Sequence, residues 1–492
     1  KEGEQSGKIN WSGPVSLLKQ ITDGSQSDAK VFYPGGGTGV LMEDGTLVLP
    51  VQGENDNEPI PMIIYSTDDG NSWDVSKGTP PAKCLNIRIT EWEKGQILMV
   101  LQCENAQWVF ESRDMGRNWM EALGTLSGVW VNPHSNITLV EILRIGALIT
   151  ATIEERRVML YVQKKFPSEE NANALYLWIT DNNRTFHVGP LFAENDETKT
   201  FSNSLLYSDG ALHFLYDNGK ESNRSVSLAR LTEELKTITS VLKTWAKLDA
   251  SFSKSSTPTV GLVGFLSNLA DGDTWVDEYR CVNAEVMNAV KVHNGFKFTG
   301  FGSGAIWSVN DREKSGLYTF VNYRFTLVAT VTINKVPKTS TTLLVAVLDA
   351  PLLNSFIGLS YNTEGKWETV FNGTKTAQDS TWETGREYQV ALVLQDGNKG
   401  SVYVDGVLMG SSATLPTPDA RGHEISDFYF VGGEDEKDKE SSSVTVRNVF
   451  LYNRPLSADE IKMVKKSDGS MHGGVSRVLL LLLLLCGIAA LY

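Results

Sequence analysis

Ser66-Thr67-Asp68-Asp69-Gly70-Asn71-Ser72-Trp73 decides the reading of this 492-residue chain, because it recurs as Ser112-Arg113-Asp114-Met115-Gly116-Arg117-Asn118-Trp119. Both stretches fit Ser-x-Asp-x-Gly-x-x-Trp, and both follow an apolar, strand-like run, Met62–Tyr65 and Gln107–Phe110. The short carboxylate can accept backbone N–H groups within a tight turn. Gly allows a left-handed backbone there, and the Trp leaves the turn to pack beneath it. Repetition on strands at about 40–50 residues is the signature of propeller blades. Neither box carries a group suited to hydrolysis, so both are read as scaffold.

Outward from the boxes, residues 20 to 231 keep an all-β pattern. Short apolar runs such as Gly39–Met42, Thr46–Leu49, Gln96–Leu101, Leu148–Thr152, Val158–Val162 and Leu175–Trp178 alternate with turn residues. Asp44-Gly45 and Asp209-Gly210 are hairpin turns. A degenerate third box is expected over Thr180–Phe186, with Asp181 retained, Asn183 in place of Gly and Phe186 in place of Trp. The length accommodates between four and five blades, which a truncated six-bladed propeller would satisfy.

The pattern changes at Thr232, a candidate N-cap for a helix with Leu235, Ile238, Leu242, Trp245 and Leu248 on one face. Glu233 and Glu234 near its start and Lys243 and Lys247 near its end match the helix dipole. After Ser251–Thr257, strands return without a period: Phe325–Thr332, Leu343–Leu348, Gln389–Leu394 and the hairpin Ser401–Met409. These predict a jelly-roll, lectin-like sandwich. It closes with Val444–Arg454, after which Ser457 and Glu460 form a capping box for a short helix. The expected domains are a propeller over 1–231, helix and connector over 232–258, a sandwich over 259–456, a short helix and attachment region over 457–470, and a cleaved signal over 471–492.

A net charge of −14 argues against a nucleic-acid partner, since phosphate binding requires a basic face. The six His are scattered singly, so no metal site is expected, and no nucleotide loop or other cofactor motif is present. Val478–Tyr492 is an apolar tail behind a polar spacer and the small cluster Ser467–Ser470. Together these predict a glycosylphosphatidylinositol (GPI) attachment signal, with Asp468 the attachment residue and Ser467 and Gly469 its rivals. The five sequons at Asn10, Asn136, Asn183, Asn223 and Asn372 fit passage through the secretory pathway. Lys1–Gln5 is no signal peptide, so the natural chain is expected to begin further upstream. With Cys486 in the tail, Cys84, Cys103 and Cys281 remain; Cys84 and Cys103 flank one hairpin and could bridge.

The boxes, helix, sandwich, tail and the string Val444-Thr-Val-Arg-Asn448-Val-Phe450-Leu451-Tyr452-Asn-Arg454 together resemble the trypanosomal trans-sialidase superfamily over nearly the whole chain. The resemblance implies an all-β sialidase-type six-bladed propeller joined by a long helix to a concanavalin-like sandwich. It also implies a site with an arginine cluster for the substrate carboxylate, a Tyr nucleophile paired with a Glu, and an acid/base Asp. The family's Glu falls on Asn86 and its second arginine on Gln102. The third arginine's segment places Glu170 and Ala172 at matching positions. The nucleophile's place falls at Phe201 or Ser202, and a second carboxylate survives as Asp217. The first arginine and the acid/base Asp would lie upstream of Lys1.

The expectation is therefore a GPI-anchored surface glycoprotein, held at the outer leaflet of the plasma membrane, without sialidase catalysis. The resemblance implies adhesion to host-cell surface or extracellular-matrix proteins and glycans, or immune evasion. The strand with Asn448, Phe450, Leu451 and Tyr452 is its candidate adhesion element. Alternation buries most of such a strand, so Asn448 and Tyr452 are the expected outward contacts. Two alternatives stand beside it: an exo-α-sialidase or trans-sialidase, and a complement-regulatory surface protein.

Overall fold

The computed structural model describes residue 13 and residues 31–55, 58–80, 84–103, 107–122, 145–164, 175–191, 203–220, 223–309, 324–349, 354–415, 424–431 and 442–464. Four antiparallel sheets come first. The first holds Val31–Pro34 (β1), Val40–Leu41 (β2), Leu47–Asn55 (β3), Glu58–Ser66 (β4) and Asp74–Val75 (β5). The second runs through Leu85–Glu91 (β6), Ile97–Gln102 (β7), Gln107–Ser112 (β8) and Met120–Glu121 (β9). The third runs through Ile145–Ile153 (β10), Arg156–Lys164 (β11), Leu175–Thr180 (β12) and Thr185–Pro190 (β13). Asn203–Ser208 (β14), Ala211–Lys220 (β15) and Asn223–Arg230 (β16) make the fourth. Consecutive strands pair in the second, third and fourth sheets, as blades require, while in the first both β1 and β2 pair with β3.

The chain forms two compact units, and the break does not fall at the end of the fourth sheet. One unit is Lys1–Glu104 with Phe110–Glu121; the other is Asn105–Val109 with Ala122–Tyr492.

In the first unit both boxes close turns by the same bonds. The Ser66 hydroxyl donates to Asp68 Oδ1 at 2.8 Å and accepts the Gly70 N–H at 2.8 Å. Ser112 repeats this toward Asp114 and Gly116, each at 2.9 Å. Hydrogen bonds from the Ser72 side chain and backbone hold Asp68 below the usual carboxylate range, and the Asn118 N–H does the same for Asp114. Gly116 has φ 72°, and a Cβ there would lie 2.7 Å from Ser76 Cβ, so this position is closed to other residues. Trp73 packs under its turn with Val51, Met62, Ile64 and Val75.

The third box differs from the sequence expectation. Thr180 pairs with Thr185, leaving a short loop of Asp181–Arg184. Asn182, not Asn183, takes the left-handed backbone (φ 73°), and Phe186 is a strand residue opposite Ile179. Asp181 Oδ1 accepts the Arg184 N–H at 2.8 Å, and the Arg184 side chain turns inward.

That side chain joins three parts of the second unit. The helix Thr232–Lys254 (α1) follows β16. Its N-cap is Leu231, which makes no side-chain cap bond; Thr232 is already helical, correcting its expected role. Arg184, 5% exposed, donates to Asp249 of α1 at 2.8 and 3.0 Å and to Asp181 at 3.1 Å. Its guanidinium lies 5.2 Å from the Trp245 ring and 4.7 Å from that of Tyr279, a sandwich residue. Arg156 bonds both carboxylates, the Tyr279 hydroxyl donates to Asp249 at 2.8 Å, and Trp245 Nε1 donates to the Tyr279 carbonyl at 2.7 Å. Around this polar centre one apolar core runs continuously through Leu177 and Ile179, Phe214, Ile238 and Trp245, then Phe265, Phe450 and Tyr452.

The sandwich strands form one 16-stranded hydrogen-bonded network among the described residues, a continuous path with one further hairpin joined to it at the side. Ser443–Tyr452 lies in its interior, paired with Phe325–Lys335 and with Leu262–Asp271. Asn448, Phe450, Leu451 and Tyr452 are 4%, 1%, 1% and 0% exposed. The expected outward contacts are thus corrected: Asn448 accepts from Ser267 Oγ at 2.9 Å, and the Tyr452 hydroxyl donates to the Pro258 carbonyl at 3.0 Å. A strand paired on both edges and packed on both faces has no side free. Ser457 and Glu460 form the expected capping box of Ala458–Met463 (α2).

Burial works against the Arg184 charge, but Asp181 and Asp249 outweigh it and raise its pKa. Burial likewise opposes ionised Asp249, yet Arg184 leaves its pKa lowered. A lowered carboxylate contributes stability that is complete above the unfolded value near 3.9 and is lost as pH falls through the folded value. Arg184→Ala is expected to cost about 3–5 kcal/mol in denaturant unfolding, by stranding buried carboxylates. It is also expected to flatten the loss of stability below about pH 4.

Candidate functional site

Where the family resemblance places its carboxylate and arginine, β6 and β7 bring two side-chain amides together. The register steps from Leu85↔Gln102 to Arg88↔Val100, so Asn86 and Ile87 together oppose Leu101 in a bulge. Asn86 takes φ 53° there, a backbone that Asn tolerates. The bulge turns the half-buried Asn86 so that its Nδ2 donates to Gln102 Oε1. Immediately outside, Cys84 and Cys103 form a disulfide, the pairing the sequence had left open. It clamps the strand ends that carry both amides.

This arrangement is neutral. An amide cannot take a proton from a tyrosine hydroxyl, so Asn86 supplies no general base. Gln102 offers no charge and no planar fork to a carboxylate. The two satisfy one another instead.

Asp217 lies in the other unit, half-buried on β15 opposite Val226. Ala172, Ser202, Phe201 and Glu170 lie outside the described residues, as do Asp468, Asn10 and Asn136. Asn183 is exposed in the turn before β13, Asn372 is exposed at a hairpin tip, and Asn223 begins β16. Cys281 is a free, half-buried thiol that burial pushes up. Among the described residues no cluster of His, Cys, Asp and Glu is arranged for a metal ion.

Sequence reasoning named Asp181 only as a retained box residue and missed Arg184, Asp249 and Tyr279, and with them the ion-pair centre. A signal was present: the third box keeps Asp181 but has Asn183 in place of Gly, followed by charged Arg184, so its turn is not that of the other two.

Comparison with known proteins accords with this architecture. Residues 1–222 match the family described as "BNR repeat-like domain", and residues 258–459 match "Trans-sialidase, C-terminal domain". "Sialidase 85-1.1" of Trypanosoma cruzi is 45% identical over 478 residues, 94% of this chain. The chain spans 63% of that relative's length, less than two thirds. The structure of Trypanosoma rangeli sialidase in complex with sialic acid superposes with a TM-score of 0.80 at 35% identity, covering 94% of this chain and 75% of that one. "Trypomastigote decay-accelerating factor" of T. cruzi is 50% identical over 70 residues, 14% of this chain and 73% of that protein. The chain belongs to the trypanosomal sialidase and trans-sialidase family, with a sialidase-type propeller and a C-terminal sandwich joined by a helix.

The Cys84–Cys103 bridge closes a short loop, for which chain entropy gives about 3 kcal/mol. Replacing both cysteines by Ser is expected to lower unfolding stability by about that amount. Unfolding with and without reductant checks it: the double variant should lose its sensitivity to reduction.

Proposed function

We propose that this family member is a surface glycoprotein that works by binding rather than by sialidase catalysis. The observation that carries the reading is the Asn86–Gln102 amide pair, at the positions where the resemblance puts a general-base Glu and an arginine. Hydrolysis or transfer of sialic acid needs a base for the nucleophile and cations for the substrate carboxylate. A site that exchanges both for neutral amides keeps the blade and loses the chemistry. Asn86, Gln102, Ala172, Ser202 and Asp217 are accordingly the remnants of a catalytic set. The partners are host-cell surface or matrix proteins and glycans, engaged by exposed surface and not by the buried strand at Asn448 and Tyr452.

The small-residue cluster, spacer and apolar tail support a GPI anchor at Asp468 on the outer leaflet. The domain boundaries proposed are a propeller to 231, a helix and connector to 258, and a sandwich to 456. A complement-regulating role is favoured specifically by the likeness to the decay-accelerating factor. Binding of complement components by the purified protein would select that role over adhesion.

The full-length protein is expected to give no turnover of a fluorogenic sialoside above the uncatalysed rate, beside an active sialidase as control. Turnover that disappears on substituting Asp217 would contradict the reading.

A further inference from the structure

Asn372 stands out among the sequons for what surrounds it. It ends the strand Lys366–Phe371 and, with Gly373, makes the two-residue turn into Thr374–Thr381, both turn residues having positive φ (47° and 76°). Asn372 and Gly373 donate their backbone N–H groups to the carbonyls of Phe356 and Ser355 at 2.9 and 2.7 Å, which fixes the tip against the sheet. Asn372, Gly373 and the sequon's Thr374 are all exposed. At Asn183, by contrast, the sequon continues through Arg184 and Thr185, which are 5% and 0% exposed.

The strand that follows is an open edge. Thr374–Thr381 lies at one end of the hydrogen-bonded path and, among the described residues, pairs only with Lys366–Phe371. Its far half is already protected: the register shifts between Lys366 and Glu368, and Ser380 Oγ lies 2.9 Å from Met409 Sδ of the neighbouring strand Val407–Ser412. Among the described residues its near half has no such cover. Thr374, Lys375, Thr376 and Ala377 are exposed in succession, and the Lys375 ammonium turns away to the Ser340 hydroxyl at 3.3 Å. A regular Thr-rich edge with backbone groups facing solvent is a template for another strand, commonly that of a second copy.

We propose that Asn372 carries an N-linked glycan whose place in the fold is to cover the bare half of this edge strand and bar pairing between sandwich domains. The sugar is rooted two residues before Thr374, at the end that neither the register shift nor Met409 protects. A hydrated, branched oligosaccharide excludes an incoming strand without occupying the edge amides. The proposal rests on the secretory reading above.

The test uses the full chain made through a eukaryotic secretory pathway and extracted in mild detergent. Enzymatic release of N-glycans in heavy-oxygen water marks each occupied Asn as labelled Asp for peptide mapping. Label at Asn372 is expected. Label at other sequons with Asn372 unmarked overturns the proposal while leaving the secretory reading intact; no label at any sequon overturns that reading as well. Asn372→Gln and Thr374→Ala, which remove the same sugar by different substitutions, are then compared with wild type by light scattering over a concentration series. Both variants are expected to shift from monomer toward dimers and larger species. Adding Lys375→Pro to either variant, which removes an outward-facing N–H opposite Val370 and spoils the edge for pairing, is expected to restore the monomer. Variants that stay monomeric, with circular dichroism like wild type, would refute the shielding role.

Discussion

Everything in the second unit depends on keeping one arginine charged in a place with almost no water. Arg184 stays so because Asp181 holds it from its own turn, Asp249 from the helix, and the Trp245 and Tyr279 rings flank it. Removing any one partner leaves a buried charge, the costly outcome for such centres. The network therefore works less as added stability than as a geometric lock. Its hydrogen bonds tie the third sheet to the helix through Asp249 and to the sandwich through Tyr279. The apolar core that runs from Leu177 to Tyr452 then closes around this centre.

The two good boxes show the opposite use of the same turn. Ser66 and Ser112 spend their hydroxyls, and Asp68 and Asp114 their carboxylates, on backbone amides of their own loops. Nothing is left to reach outward. Where the third copy has Asn183 in place of Gly and Arg184 after it, the loop shortens, and its Asp faces a side chain instead of serving the turn alone. A repeat that decays in sequence has here become a joint.

How much of this could be read beforehand follows from the range of each interaction. The box turns, the Ser457–Glu460 cap and the helix with Ile238, Leu242 and Trp245 inward are local patterns, and each was legible. The helix start was placed one residue off its cap because Leu231 serves by backbone alone, which no side-chain rule detects. Asn448 and Tyr452 were expected outside because alternation assumes one solvated face; that strand has none. The Arg184 centre joins residues far apart in the chain, and only the tertiary structure brings Asp249 and Tyr279 to it. At the candidate site the resemblance pointed to Asn86 and Gln102, which the structure brings together. Their mutual hydrogen bond was not legible, since it depends on the bulge that turns Asn86 toward Gln102.

The central claim is that the scaffold has outlived its grip on a carboxylate. The measurement that bears on it most directly is the affinity of the purified protein for a sialoside and for the methyl ester of the same sialoside, by titration calorimetry. The ester keeps every hydroxyl and removes only the charge. An arginine cluster would favour the acid strongly, whereas neutral amides predict no preference, with binding weak or absent for both. Saturable binding of the acid that the ester lacks, and that weakens when Gln102 is replaced by Ala, would contradict the account.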